Sequence, residues 1–568
     1  MLRNTLTMFA AVALLSSVAL GGNPHLKNKP KAFTGDEVLP VQSFGHPPIP
    51  SALGPGDSIG YSWYDFGTNG SANRNLINYG DGTISFARMC AIDGGTWPSR
   101  GSYYKYYDGT SWSAGWDPRI EAVRRGWTNI DQIVDAGGVE VVVSHLPMEV
   151  NVDAAKGAGV WSAVVTATTG GFWPRFAIGS GFTFHAIYAD ANPPTTMFYA
   201  FSLDAGTTWT VDQPLWTSPE AFVGADAYDI TAQGSKVAAV IAVEGGDVVV
   251  IESMDGGVTW SEYIVYDIDG TLLTPGEEVP DGGVSALYDA SGNLHVAWGN
   301  FESPGDAATV QFSVDAGIRH WSSATGVQEI AWPDPDPTLF IPGAAGGDGA
   351  TVSFGEAREG NLASEPDLGA DASGAVYLMF CRLVPEQDDS ANYFQHLFAL
   401  KSADGGVTWG DVVDITPGTG FDASYGTLAD LVDKYINVNY FCDPLAGNAL
   451  GATHVNYPVN VMFLRVPSTL TGVREVPGGL PQAYALDQNY PNPFNPTTNI
   501  RYSIPSASFV TLKVYDVLGR EVATLVNGEQ VPGNYVADFD ATDLANGSYF
   551  YTIKAGAFTE TKKMLIVK

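Results

Sequence analysis

The octapeptide SMDGGVTW at positions 253–260 returns almost unchanged as SADGGVTW at 402–409, and a third copy, SLDAGTTW, stands at 202–209. Such a phrase narrows the choice of fold. Asp followed by Gly within two residues marks a tight turn, and the Trp behind it needs apolar surface to cover it. Each copy closes a run rich in β-branched and aromatic residues, TTMFYAF, DVVVIE and HLFALK. The phrase therefore ends one strand and begins the next. TVQFSVDAGIRHW (309–321) is a looser copy with one extra residue, and YYKYYDGTSW (103–112) a shortened relative.

Ahead of these runs lie seven segments of one plan, a Gly or Tyr leading into a short apolar run: GTISFARM (82–89), GGVEVVVSH (137–145), GFTFHAIYA (181–189), GSKVAAVIAV (234–243), GNLHVAWGN (292–300), GAVYLMF (374–380) and YINVNYF (435–441). Each is read as the first strand of a unit. Their starts lie 44 to 82 residues apart, room for one four-stranded sheet each. Sheets that cannot cover both faces alone stack radially, so the expectation is an all-β chain with a six- to seven-bladed β-propeller, seven being favoured by the seven segments. Helical periodicity is nearly absent outside Arg119–Arg125.

Ser-x-Asp-x-Gly-x-Thr-Trp resembles the Asp-box of sialidases and other secreted propellers. The matching residues are Ser202, Asp204, Gly206, Thr208 and Trp209; Ser253, Asp255, Gly257, Thr259 and Trp260; Ser402, Asp404, Gly406, Thr408 and Trp409; and, in the looser copy, Asp315, Gly317 and Trp321. The expected role is structural. The carboxylate accepts turn N–H groups, Gly supplies positive φ, and Trp covers the blade. Near-identical copies do not suit catalysis, which needs different groups converging on one point.

The opening MLRNTLTMFAAVALLSSVALGG reads as a signal peptide (1–22), followed by a lead segment (23–57), the propeller (58–470), a linker (471–485) and a C-terminal domain (486–568). The mature chain offers no transmembrane span, lacking a later apolar run of about 18 residues. The formal charge is −34, against nucleic-acid binding, which needs clustered Lys and Arg. From Gly479 onward 7 basic residues face 8 acidic ones, so the acidity belongs to the propeller.

The C-terminal domain shows short β runs, NIRYSIP, VTLKVYDVLG, NYVADFDA, SYFYTIKAG and TKKMLIVK, which suit a small immunoglobulin-like β-sandwich. Its wording resembles the type A sorting domain of the type IX secretion system, most closely at Asn489–Pro496, Tyr515–Glu521 and Lys562–Lys568. The resemblance implies signal-peptide export to the periplasm, passage through the outer-membrane translocon, and a secreted or surface-attached product with the type IX machinery as partner.

The sequence assigns no catalytic residue, cofactor or metal. A sialidase-like site would need clustered arginines; Arg88, Arg125, Arg175, Arg319, Arg382 and Arg465 are available, with Asp226, Asp281, Glu365 and Asp367 as carboxylates. All are read first as blade-edge charges. YIVYDIDGTL (263–272) matches a phosphotransferase signature through Asp267 and Asp269, but inside a β repeat. Cys90, Cys381 and Cys442 follow blade strands at one offset, open to a Cys381–Cys442 disulfide or to buried thiols. The expected function is a non-catalytic module binding glycan or protein through one propeller face. The alternatives are a sialidase-like glycoside hydrolase and a structural surface or adhesin component.

Overall fold

The computed structural model describes residues 54–568 apart from 68–70, 72–73, 95, 117, 166–170, 190–195, 218–226, 244–245, 269–274, 305–309, 312–316, 330–350, 353–362, 388–392, 447–456, 471–472, 476–480, 482, 507, 531–532 and 542–543. The stretch read as a signal peptide lies outside the described residues.

The chain is a β-propeller followed by a β-sandwich. Up to Pro467 the described strands form seven successive sheets, antiparallel but for the parallel pairing of Leu431–Val432 with Ala363–Asp371, and one two-stranded pair. The first strands of the seven are Leu76–Asn78, Gly126–Ile133, Phe172–Ile178, Tyr228–Gln233, Pro275–Tyr288, Ala363–Asp371 and Asp422–Leu428. Each touches the next in turn, and the strand Tyr435–Asp443 of the last sheet touches Leu76–Asn78 of the first. The outer strand of the seventh sheet is Asp57–Ser62, paired with Val459–Pro467. The two ends of the propeller are thus hydrogen-bonded into one sheet, which removes an open seam.

The seven apolar segments of the sequence are second strands rather than first. Lys236–Ala242 lies between Tyr228–Gln233 and Val248–Ser253, and the others sit alike. The reason is burial. A second strand is covered on both faces by neighbouring sheets and reads as a continuous apolar run; Val237 to Ala242 are all buried. First strands line the axis, carry polar residues there, and give a weaker signal. Arg119–Arg125 is not helical.

The sandwich pairs two four-stranded sheets around Ile500, Tyr502, Val510, Leu512, Tyr551 and Ile553. Val473–Glu475, inside the segment read as a linker, is an edge strand on Gly533–Asp540.

Candidate functional site

An antiparallel meander puts its first-to-second and third-to-fourth turns at one end and all other connections at the opposite end. The propeller therefore has a turn face and a connection face.

On the turn face the three repeated hairpins share one bonding scheme. Ser202, Ser253 and Ser402 Oγ accept the N–H of Gly206, Gly257 and Gly406 at 2.8, 2.8 and 2.7 Å. Asp204, Asp255 and Asp404 Oδ1 accept the N–H of Thr208, Thr259 and Thr408 at 2.7, 2.8 and 2.8 Å, and the threonine hydroxyls donate to Oδ2 at 2.7 Å in every copy. The glycines have φ of 81°, 83° and 88°. Hydrogen bonds to the charged form hold all three carboxyls below their ordinary range, Asp404 at about 2.

The tryptophans reach across to the preceding sheet. Trp260 meets Tyr199 edge-on at 5.0 Å and Trp409 meets His320 at 5.1 Å. Two further hairpins do the same: Trp112 meets Phe463 at 4.8 Å, closing the first sheet onto the seventh, and Trp161 meets Tyr104 at 5.1 Å. Tyr199, His320, Phe463 and Tyr104 all lie on third strands. Trp209 instead packs on Phe184 of its own sheet at 6.2 Å. The Trp161 hairpin was missed in the sequence because Asp153, which accepts the N–H groups of Gly159 and Val160 at 2.7 Å each, stands eight residues ahead of the Trp instead of five.

The looser copy is corrected. Trp321 lies within the strand Ile318–Ser322, opposite Val296, and Gly317 precedes that strand; the turn falls later, at Ser322–Gly326. The extra residue shifts the register so that Trp no longer follows the turn. Asp315 lies outside the described residues.

Along the axis three first-strand aspartates tie sheets in pairs. Asp131, Asp229 and Asp367 each accept the N–H of the following residue with one oxygen. With the other they accept a backbone N–H of the next sheet: Ile178 at 2.8 Å, Ala286 at 2.9 Å and Leu428 at 2.7 Å. Arg74 faces this ring, with Nε 2.9 Å from Asp430. The Asp430 side chain is 39% exposed. Burial pushes the Asp131 carboxyl up to about 6 and Asp367 to about 7, and raises Asp430. Burial opposes the charge of Arg74 too, yet Asp430, Asp131 and Asp229 hold it above its ordinary value.

The six arginines have separate partners. Arg88 donates to Asn439 Oδ1 at 2.6 Å and Tyr425 O at 2.8 Å, Arg125 pairs with Glu149 at 3.0 Å, and Arg175 donates to Ser71 O at 2.7 Å. Arg319 pairs with Glu278, Arg382 lies over Phe398 and Arg465 over Tyr107. Of the carboxylates, Asp281 accepts from Ser364 Oγ at 2.8 Å, while Asp226 and Asp269 lie outside the described residues.

At the connection face the first strands of the second, third, fifth, sixth and seventh sheets are bulged, where an extra residue re-aims a side chain. Left-handed backbone occurs there at Trp127 (φ 50°), Gly282 (92°), Glu365 (55°) and Tyr425 (52°), and at Trp173 (48°) in the third sheet. The aromatics are buried wedges. Glu365 breaks the series: it is partly exposed, accepts from Cys381 Sγ at 3.4 Å and acts electrostatically on Arg88.

Cys90, Cys381 and Cys442 are buried thiols, and no disulfide joins Cys381 to Cys442. Cys381 is turned towards Glu365, and burial holds its pKa well above the ordinary value.

In the sandwich the segment 488–494 covers the free edge of the last strand, Phe558–Ile566. Phe494 N donates to Leu565 O at 3.0 Å, Val567 N to Phe494 O at 3.1 Å, and Leu565 N to Asn492 Oδ1 at 2.9 Å. Two of the three most distinctive stretches of this domain are thus bonded to each other. Prolines 491, 493 and 496 lack N–H groups, so the cover cannot recruit a further strand there. The third stretch, around Asp516, is a turn at the end of the other sheet edge.

The fold is that of a β-propeller with a sandwich at its C-terminus. Residues 488–568 match the family described as a secretion system C-terminal sorting domain, and this part of the chain is such a domain, of the type IX system. It directs the chain to the cell surface or the medium. No curated protein sequence matches the chain. Among solved structures, a PL25 ulvan lyase is 12% identical, with 72% of this chain and 96% of that one aligned at a TM-score of 0.42. NanB sialidase from Streptococcus pneumoniae is 11% identical, with 73% and 71% aligned at 0.35. An α-L-arabinanase from Cellvibrio cellulosa is 12% identical, with 51% and 90% aligned at 0.28. Among the described residues no helix is long and apolar enough to cross a membrane.

Proposed function

We propose that the propeller is a non-catalytic binding module, displayed or released at the cell surface, which holds a protein or glycan through its turn face. The observation that carries this reading is an excess of exposed apolar side chains on that face. The repeated hairpins present Leu203, Met254, Val258 and Val407 to solvent, at positions the hairpin bonding leaves open. Apolar groups gathered on one exposed face mark interaction surfaces. The carboxylates of the same hairpins are committed to turn bonds, and the axial ones to backbone N–H groups. The repeated hairpins act as inter-sheet clamps in this reading.

The test is retention of the full chain on an array of sialylated and neutral glycoconjugates and of extracellular matrix proteins. Retention is expected, and Met254→Ser with Val258→Ser should weaken it at least tenfold. Retention unchanged by that pair would move the site off the turn face.

One observation favours the second reading, a sialidase-like hydrolase. Glu365 is a partly exposed carboxylate in left-handed backbone where other sheets have buried aromatics, and strained residues gather at reactive sites. That reading requires Glu365→Gln to abolish sugar release.

A further inference from the structure

On the turn face, five turns of the second, third and fourth sheets are tied to one another by hydrogen bonds. Asp135 Oδ2 accepts the N–H of Gly181 at 2.9 Å, which joins the first turn of the second sheet to that of the third. Ala205 N donates to Phe182 O at 3.0 Å, Ser180 N to Gly234 O at 3.1 Å and Gly256 N to Ser235 O at 2.8 Å. These bonds carry the run through both turns of the third sheet and both of the fourth. Val134, Phe182, Leu203, Met254 and Val258 stand on it, 38% to 72% exposed. The hairpins do not need such side chains. Turn centres favour small or polar residues, and in the sixth sheet Ala403 fills the place of Leu203 and Met254. The corresponding turns of the fifth sheet expose Ala290, Ser291, Ser323 and Ala324, so the run stops there. A linked support lowers the entropy lost when a partner orders the surface.

Charge selects the partner. Asp135, Asp204 and Asp255 are exposed among these apolar side chains. Their oxygens accept N–H and hydroxyl groups, which leave the negative charge in place, and among the described residues none of the three pairs with a cation. Of the lysines bordering the run, Lys156 is held by Asp81 at 2.8 Å and Lys236 reaches away to Gly292 O of the fifth sheet at 2.6 Å. We propose that the run docks a protein that presents an apolar face flanked by lysine or arginine, as a basic amphipathic helix does; this rests on the turn face being the binding face. Such a helix lays its apolar side against Leu203, Met254 and Val258 while its cations meet the aspartates between them. A sialylated glycan would be repelled by the same carboxylates, and a neutral one would meet polar groups already bonded within the turns.

The test titrates the full chain into a labelled synthetic helix of about 18 residues built from leucine and lysine, read by fluorescence anisotropy. Binding is expected, and Met254→Ser with Val258→Ser should weaken it about tenfold. Val123→Ser, an exposed apolar residue on the connection from the first sheet to the second, should bind as the parent does. Helices with glutamate in place of lysine, or serine in place of leucine, should each bind about tenfold more weakly than the leucine-lysine helix. A serine-lysine peptide that binds as tightly would reduce the attraction to net charge and overturn the proposal. So would a double variant that unfolds at the parent's temperature and still holds the leucine-lysine helix as the parent does. Retention on the array of glycoconjugates and matrix proteins separates the two layers. If the double variant loses that retention while the parent ignores the leucine-lysine helix, the turn face stands and the basic partner falls. If the double variant changes neither, the turn face itself fails.

Discussion

The indole of Trp260 stands edge-on to the ring of Tyr199, 5.0 Å between centroids and 82° between planes, and so fastens the fourth sheet to the third. Gly257 from the same hairpin lies so close that an added Cβ would come 2.1 Å from Tyr199 Oη, at a φ of +83° that disfavours any other residue. Trp260→Ala should therefore cost about 2 kcal/mol, from lost half-buried area plus the aromatic pair. Gly257→Ala should cost at least about 2 kcal/mol through clash and backbone strain. Urea unfolding of the full chain, followed by Trp fluorescence, checks both. Gly256→Ala is the control for φ alone, since a Cβ there meets nothing within 4 Å.

The axial aspartates give stability a pH dependence of definite sign. Asp131 and Asp367 titrate in the folded chain at about 6 and about 7, above an unfolded value of about 3.9. The folded state holds these protons more tightly, so their contribution is complete below pH of about 4 and is lost as pH rises through 6 and 7. Thermal unfolding at pH 5 should exceed that at pH 8. Asp367→Asn should flatten the slope between those values, whatever it does to stability at either one.

Arg74 is the cation that faces the axial ring. Arg74→Met leaves Asp430, Asp131 and Asp229 without it, which should cost roughly 3 kcal/mol at pH 8. The loss should shrink at pH 5, where Asp131 takes up a proton. Equal losses at both pH values would place the effect in packing.

The three cysteines should be unreactive in the native chain. Burial pushes Cys90 up to about 12 and holds Cys381 well above its ordinary value, so a thiol reagent at pH 8 should label none until denaturant is added and then label all three. Labelling of Cys90 alone in denaturant without reductant would reinstate a Cys381–Cys442 disulfide.

How much of this was legible in the sequence follows burial. Second strands such as Lys236–Ala242 are covered on both faces and stood out as apolar runs. First strands carry Asp131, Asp229 and Asp367 towards the axis, and those carboxylates broke the alternation, so the runs were placed one strand too early in each unit. The Ser-x-Asp-x-Gly-x-Thr-Trp hairpins were plain because one bonding scheme fixes the spacing. Asp153 with Trp161 reaches the same contact across a longer loop, and only geometry reveals it. A second repeated phrase, DASG at 289–292 and 371–374, was there to be read; in both copies the Asp accepts the N–H of the residue two places on. Pairing at the axis joins residues 47 to 61 positions apart, a distance no local pattern spans.

The central claim is that the propeller binds without turning its ligand over, and released product tests it most directly. Full chain and Glu365→Gln chain would be incubated with the same sialylated and neutral glycoconjugates, and free sugars measured by mass spectrometry. No release is expected from either. Release by the parent chain that disappears in Glu365→Gln would contradict it and establish a hydrolase at the connection face.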